Sequence, residues 1–171
     1  MLEKFRKYEF KEIYKIMEYS FPHDEIRSFK GQEKLLEHQN YSILVLREND
    51  EILGFVAVWD FEKFVFLEHF AVTEKHRNKG IGNKILSELG QFANKKIILE
   101  VEHPSDDISI RRIDFYKRND YILFDFNYIM PAYDENHKDV PLCIMSNDCL
   151  NQTDFNDFYD KIKNVVNKKT L

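Results

Sequence analysis

At 171 residues, 43% hydrophobic, 15% aromatic and 32% charged, the chain has the makeup of a globular domain with a real core, not of a disordered segment. A net charge of −5 speaks against a non-specific nucleic-acid binder. No apolar run approaches the ~18 residues that a membrane helix needs, and the start MLEKFRKYEF carries charges where a signal peptide needs an apolar stretch.

The expectation is one domain over residues 1–171, cytoplasmic, with no membrane and no nucleic-acid partner. Cys143 and Cys149 form no CxxC pair, and the histidines form no HExxH pair, so no metal is expected.

Residues 3–8 read as a short first strand. From Glu9 to Tyr19, Phe10, Ile13, Tyr14 and Met17 recur at helical spacing, and Phe21-Pro22 ends the helix. Gln32 to His38 predicts a second helix. Tyr41 to Arg47, Ile52 to Asp60 and Lys63 to Val72 predict three consecutive antiparallel strands, the first two joined by a turn at Glu48-Asn49-Asp50. A helix from Ile81 to Phe92, a buried strand from Ile97 to Glu102 and a helix from about Ser109 to Arg118 follow. Tyr121 to Met130 and Val140 to Ser146 are the last strands, and Asp154 to Val166 predicts an amphipathic helix in the extension 151–171. That helix is read as covering the sheet or making a homodimer contact. The order is β-α-α-β-β-β-α-β-α-β-β-α. The fold class expected is mixed α/β: a central, mostly antiparallel twisted sheet of about six to seven strands flanked by helices.

The richest local signal lies between the third of those consecutive strands and the next helix. Two of the chain's five glycines fall within Arg77-Asn78-Lys79-Gly80-Ile81-Gly82. Glycine permits a sharp turn and close ligand approach. A helix that opens this way points its N–H groups and positive dipole end at whatever lies in front, which suits phosphate. Lys75, His76, Arg77, Lys79 and Lys84 add positive charge with no acid from Lys75 to Lys84. Residue 85 is Ile, so GxGxxG fails, and GxxxxGK[ST] is absent.

The stretch Phe66 to Leu86, an apolar strand ending in Ala71-Val72, then R-x-x-G-x-G, then a helix, resembles the acetyl-CoA signature of the GNAT superfamily of N-acetyltransferases. The element order agrees from about residue 3 to 146. The resemblance implies the GNAT-like acyltransferase fold and transfer of acetyl from acetyl-CoA, as co-substrate, to a primary amine of a small-molecule or peptide acceptor. It implies that the backbone of Phe70 and Val72 carries the pantetheine arm. It implies further that Arg77, Asn78, Lys79, Gly80, Ile81, Gly82, Asn83 and Lys84 hold the pyrophosphate.

Strand alternation places Phe66, Glu68, Phe70 and Val72 on one face. The family often has Glu or His at the position of Glu68. The resemblance therefore implies Glu68 as general base through water; the other reading is a residue that lines a wet cleft. His69 would replace it if a bulge reversed the alternation. Glu100 and Glu102 are secondary candidates. Phe115-Tyr116-Lys117-Arg118-Asn119-Asp120-Tyr121 resembles the family's helix end, which implies Tyr116 as general acid toward the departing thiolate. Ser109 stands where many members have Asn, and Asp120 where many have Gly, so Asn119 or Asp120 would take the left-handed turn. Arg111-Arg112 and Lys117-Arg118 read as a solvated helix face or as contacts to an anion. The alternatives in other classes are a non-catalytic acyl-CoA-binding module and a nucleotide-binding protein.

Overall fold

The computed structural model describes residues 1–167. The fold class is mixed α/β: seven strands, mostly antiparallel, with flanking helices. The chain divides into two compact units, one of Met1–Pro22 and Ile26–Ile97, the other of His23–Glu25 and Ile98 onward.

In the first unit, β1 (Glu3–Lys4), β2 (Tyr41–Glu48), β3 (Glu51–Asp60) and β4 (Phe64–Val72) pair antiparallel in that order. β3 is buried from Ile52 to Trp59 on both faces. Helix α1 (Phe10–Ser20) buries Phe10, Ile13, Tyr14 and Met17; Ile13 and Met17 are wholly buried, each side chain contributing about 2 kcal/mol. Helix α3 (Ile81–Ala93) buries Ile85, Leu86, Leu89 and Ala93 at the same spacing. Asn49 (φ 49°) and Asp50 (φ 62°) make the β2–β3 turn with the left-handed backbone that a two-residue hairpin requires.

Three boundaries differ from the sequence expectation. The first strand stops at Lys4, and Lys7–Glu9 coil into a 3-10 turn. The Glu9 carboxylate accepts from the Arg6 N–H (2.6 Å) and from Arg47 of β2 (3.0 Å), which holds the chain in the turn. Helix α2 starts early, at Phe29, and ends at Lys34 in a 3-10 turn over Leu35–Glu37. Ser28 caps it by accepting from the Gly31 N–H (3.2 Å).

The second unit holds β5 (Lys96–Glu102, from Ile98 onward), β6 (Ile122–Met130) and β7 (Val140–Ser146), antiparallel in the order β5-β7-β6. Helix α4 (Asp107–Lys117) opens on a capping box: Ser109 N donates to Asp106 Oδ1 (2.8 Å) and Asp106 N to Ser109 Oγ (3.1 Å). Helix α5 (Gln152–Lys161) runs on into a π turn over Ile162–Val166. It lies on β6: Phe155 stacks on Phe126 at 4.3 Å, and Phe158 meets Tyr128 at 5.7 Å. The tail of the expected extension, residues 168–171, lies outside the described residues.

Candidate functional site

The loop from Val72 to Ile81 is built by local rules. β4 ends at Val72, and Thr73 locks the exit by donating to the Leu53 carbonyl from both its backbone N–H (2.9 Å) and its Oγ (3.0 Å). A 3-10 turn over Glu74–His76 follows. Asn78 (φ 62°) and Gly80 (φ 77°) are left-handed, and Gly80 is the N-cap of α3. Gly80 has no side chain to cap the first turn. Nothing lies within 4 Å of where its Cβ would be. The first helical bond is Lys84 N–H to the Gly80 carbonyl (3.1 Å), so the N–H groups of Ile81, Gly82 and Asn83 precede it. A 13-residue helix thus starts at an exposed glycine, with its positive dipole end at this loop. These residues fit an anionic group such as a pyrophosphate.

The basic side chains divide. Lys75 pairs with Glu51 of β3, and His76 lies 4.0 Å from the same carboxylate. Arg77 Nε donates to the Val72 carbonyl (3.2 Å), which ties the loop to the strand that the sequence reading assigned to the pantetheine arm. Lys79 and Lys84 are exposed beside the helix start. Gly54 lets β3 and α3 close up here, since a Cβ would fall 2.7 Å from the Ala71 carbonyl oxygen and 2.8 Å from Ile85 Cδ1.

Glu68 sits at an irregularity that overturns the simple alternation. Ala57 faces His69 and Val58 faces Leu67, so β4 carries one extra residue across that step, Glu68. Phe66 then shares a face with His69 and Ala71, through their partners Trp59, Ala57 and Phe55; Phe70 and Val72 share the other face with Leu67. The Glu68 side chain is 1% exposed. Oε1 accepts from Arg27 Nη1 (2.8 Å) and Oε2 from Trp59 Nε1 (3.0 Å), with His69 Nδ1 at 3.6 Å from Oε2. Burial pushes the carboxyl pKa up. The Arg27 charge, His69 and the two hydrogen bonds more than offset this and hold it below the usual carboxylate range.

The surroundings are polar and buried. The Tyr14 hydroxyl donates to the Arg27 carbonyl (3.0 Å), and Gln32 Nε2 donates to the Tyr41 hydroxyl. Burial, then the Glu68 charge, push the Tyr41 phenol well above its ordinary pKa. Phe21 meets His69 edge-on at 4.8 Å, and Phe29 meets Tyr14 at 5.1 Å. Sequence reading missed Arg27. The signal available was a single base between Ile26 and Phe29, but nothing local tied it to a carboxylate 41 residues away.

In the second unit, Tyr116 of α4 is 7% exposed, against Phe115 (5.4 Å) and Tyr121 (5.6 Å). Burial raises its phenol pKa far above the ordinary value, only partly opposed by Arg112. It is neutral across the physiological range, as an ordinary phenol is, and burial makes it a weaker acid. Asp120 (φ 66°) takes the left-handed turn after α4. Ser109 is 2% exposed and does the work of the capping box. Glu100 accepts from the Tyr128 hydroxyl, and Glu102 pairs with Arg112 (2.6 Å). Glu25 is raised to about 7, by burial first and then by the Glu102 charge. His23 and His137 stack at 4.8 Å, and Tyr133 donates to the Glu25 carbonyl (3.3 Å). Among the described residues no helix is long and apolar enough to cross a membrane.

A family model described as an acetyltransferase (GNAT) domain matches residues 39–123. The candidate acetyltransferase YjbC of Bacillus subtilis (strain 168) is 31% identical over 109 residues, 63% of this chain and 54% of that protein. The match thus spans about half the length of that curated relative. A candidate GNAT-family acetyltransferase from Bacteroides thetaiotaomicron has a solved structure that superposes with a TM-score of 0.91 at 27% identity, over 99% of each chain. A Bacillus subtilis acetyltransferase solved with CoA superposes with a TM-score of 0.62 at 14% identity, over 87% of this chain and 98% of that one, which speaks to the fold alone. The glycine-opened helix after β4 and these likenesses agree: the chain belongs to the GNAT acetyltransferase family.

Proposed function

We propose that the protein transfers an acetyl group from acetyl-CoA to a primary amine by direct attack. The observation that carries the reading is the start of α3, where left-handed, exposed Gly80 opens a 13-residue helix beside exposed Lys79 and Lys84. There the residues from Arg77 to Lys84 hold the pyrophosphate through backbone N–H groups, and salt weakens the lysine contribution. The backbone of Phe70 and Val72 carries the pantetheine arm, and the Val72 N–H is the donor toward the developing oxyanion.

The acceptor must attack as the free base. An alkylamine with a pKa of ~10 costs about 4 kcal/mol to deprotonate at pH 7. Glu68 serves as base through water. Its oxygens accept from Arg27 and Trp59, which hold it as the carboxylate. Tyr116, a neutral phenol at pH 7, returns a proton to the leaving thiolate.

The test begins with titration calorimetry of the purified protein against acetyl-CoA, beside folded Gly80→Glu and Gly82→Glu variants. Saturable binding that both variants lose supports the reading. A panel of amines is then screened by release of free thiol. Absence of binding by acetyl-CoA and by longer acyl-CoAs to folded wild-type protein would sink it.

A further inference from the structure

Glu68 is a full negative charge at 1% exposure, and Arg27 faces it at 10% exposure. Such a pair is costly to desolvate and is weak evidence for stability as such. A pair kept under those terms calls for another reason. The geometry around it is that of a held group. Arg27 takes Oε1 at 2.8 Å and the lone tryptophan of the chain, Trp59, takes Oε2 at 3.0 Å. Arg27 is itself fixed through its backbone, because the Tyr14 hydroxyl of α1 donates to its carbonyl and Ser28 next to it caps α2. The residue held is itself the extra residue of β4, outside the regular ladder.

We infer that Arg27 is a positioning residue for the acetyl transfer: its guanidinium holds the Glu68 carboxylate in one orientation against Trp59 and supplies the countercharge in the buried site. The inference rests on the proposed function, in which Glu68 is the proton acceptor. Among the described residues, the groups that face Glu68 include Arg27 from the segment before α2, Trp59 from β3, His69 from β4 and the neutral Tyr41 from β2. Of these four, Arg27 carries the permanent positive charge. Without it, only His69 and the Trp59 hydrogen bond oppose the effect of burial on Glu68, and the carboxyl takes a proton at higher pH. Two effects separate by chemistry. The countercharge can come from any cation, whereas orientation needs the planar fork that lysine lacks.

The experiment uses the full chain and two readouts. The first is the pH profile of kcat/KM with the amine found in the screen. The second needs no acceptor: the pH dependence of Trp59 fluorescence, which reports Glu68 through the shared hydrogen bond. It is recorded with His38→Gln, so that the ring packed on Trp59 at 4.9 Å adds no signal, and Glu68→Gln identifies the transition by abolishing it. In Arg27→Gln, the fluorescence midpoint and the acid limb of kcat/KM are expected to rise together by at least about one pH unit. Arg27→Lys is expected to restore both midpoints, yet to leave kcat at least about fivefold low with acetyl-CoA affinity unchanged.

If Arg27→Gln does not fold, Arg27→Lys carries the test, and wild-type kcat in that variant overturns the inference. A fluorescence midpoint that moves while the acid limb stays put makes the pair structural and also overturns it. Failure of wild-type protein to bind acetyl-CoA is seen separately by calorimetry, and it removes the reaction that Arg27 would serve.

Discussion

Gly54 and Gly80 stand on either side of the same strand–helix junction, and replacing each with alanine should expose two different physical limits. At Gly80 the cost is conformational: φ is 77°, and no atom lies within 4 Å of the new Cβ. An L-residue in that region costs about 1–2 kcal/mol. Alanine returns about 0.4–1 kcal/mol by reducing the freedom of the unfolded chain, leaving a net loss of about 1 kcal/mol. At Gly54 the limit is space. The new Cβ would meet the Ala71 carbonyl oxygen at 2.7 Å, Ile85 Cδ1 at 2.8 Å and Val72 Cα at 3.2 Å.

Ile85 can turn away, but the β4 backbone cannot move without breaking the pairing of Gly54 with Val72. Overpacking of this kind costs about 3 kcal/mol, and the same unfolded-chain return leaves a net loss of about 2 kcal/mol. The two variants should therefore differ by about 1 kcal/mol. With a urea m-value of about 2 kcal/mol per molar, their midpoints separate by about 0.5 M. Urea unfolding followed by circular dichroism measures this directly. Equal midpoints, or a Gly80→Ala protein less stable than Gly54→Ala, would refute the reasoning that β3 and α3 close on Gly54 while Gly80 faces open space.

Other predictions concern charge, capping and catalysis. The Glu25 pKa is raised in the folded protein from its ordinary 4.5 to about 7, by burial and then by Glu102. A raised carboxyl gives stability below about pH 4.5 that is lost as pH climbs through 7. Glu25→Gln should therefore leave the urea midpoint nearly unchanged at pH 4 and raise it at pH 8, by about 2–3 kcal/mol at most; a uniform effect across pH would contradict this origin. Asp106→Ala removes the α4 cap and should cost about 1 kcal/mol, with the capping role disproved if the midpoint does not fall. Tyr116→Phe should lower kcat at least about tenfold while acetyl-CoA affinity stays within about twofold; an unchanged kcat removes Tyr116 as the acid.

The course of the chain from β2 to α4 was legible because its signals are local. Alternating or continuous apolar residues, Asn49-Asp50 at a hairpin and Gly80 before an amphipathic run each act within a few residues. Errors arose where a single polar contact moved a boundary: Glu9 curled the end of the first strand, and the Ser28 cap started α2 three residues early.

The loop residues were legible as a set, and their division of labour was not. Glu51 draws Lys75 and His76 toward β3, while Lys79 and Lys84 stay exposed beside the helix start. Composition pointed to a glycine-opened helix beside basic residues and a carboxylate on the preceding strand. Only tertiary structure could seat that carboxylate on an extra residue of β4 and pair it with Arg27. A strand's register is settled by its neighbour, and a buried charge by a partner that can lie anywhere along the chain.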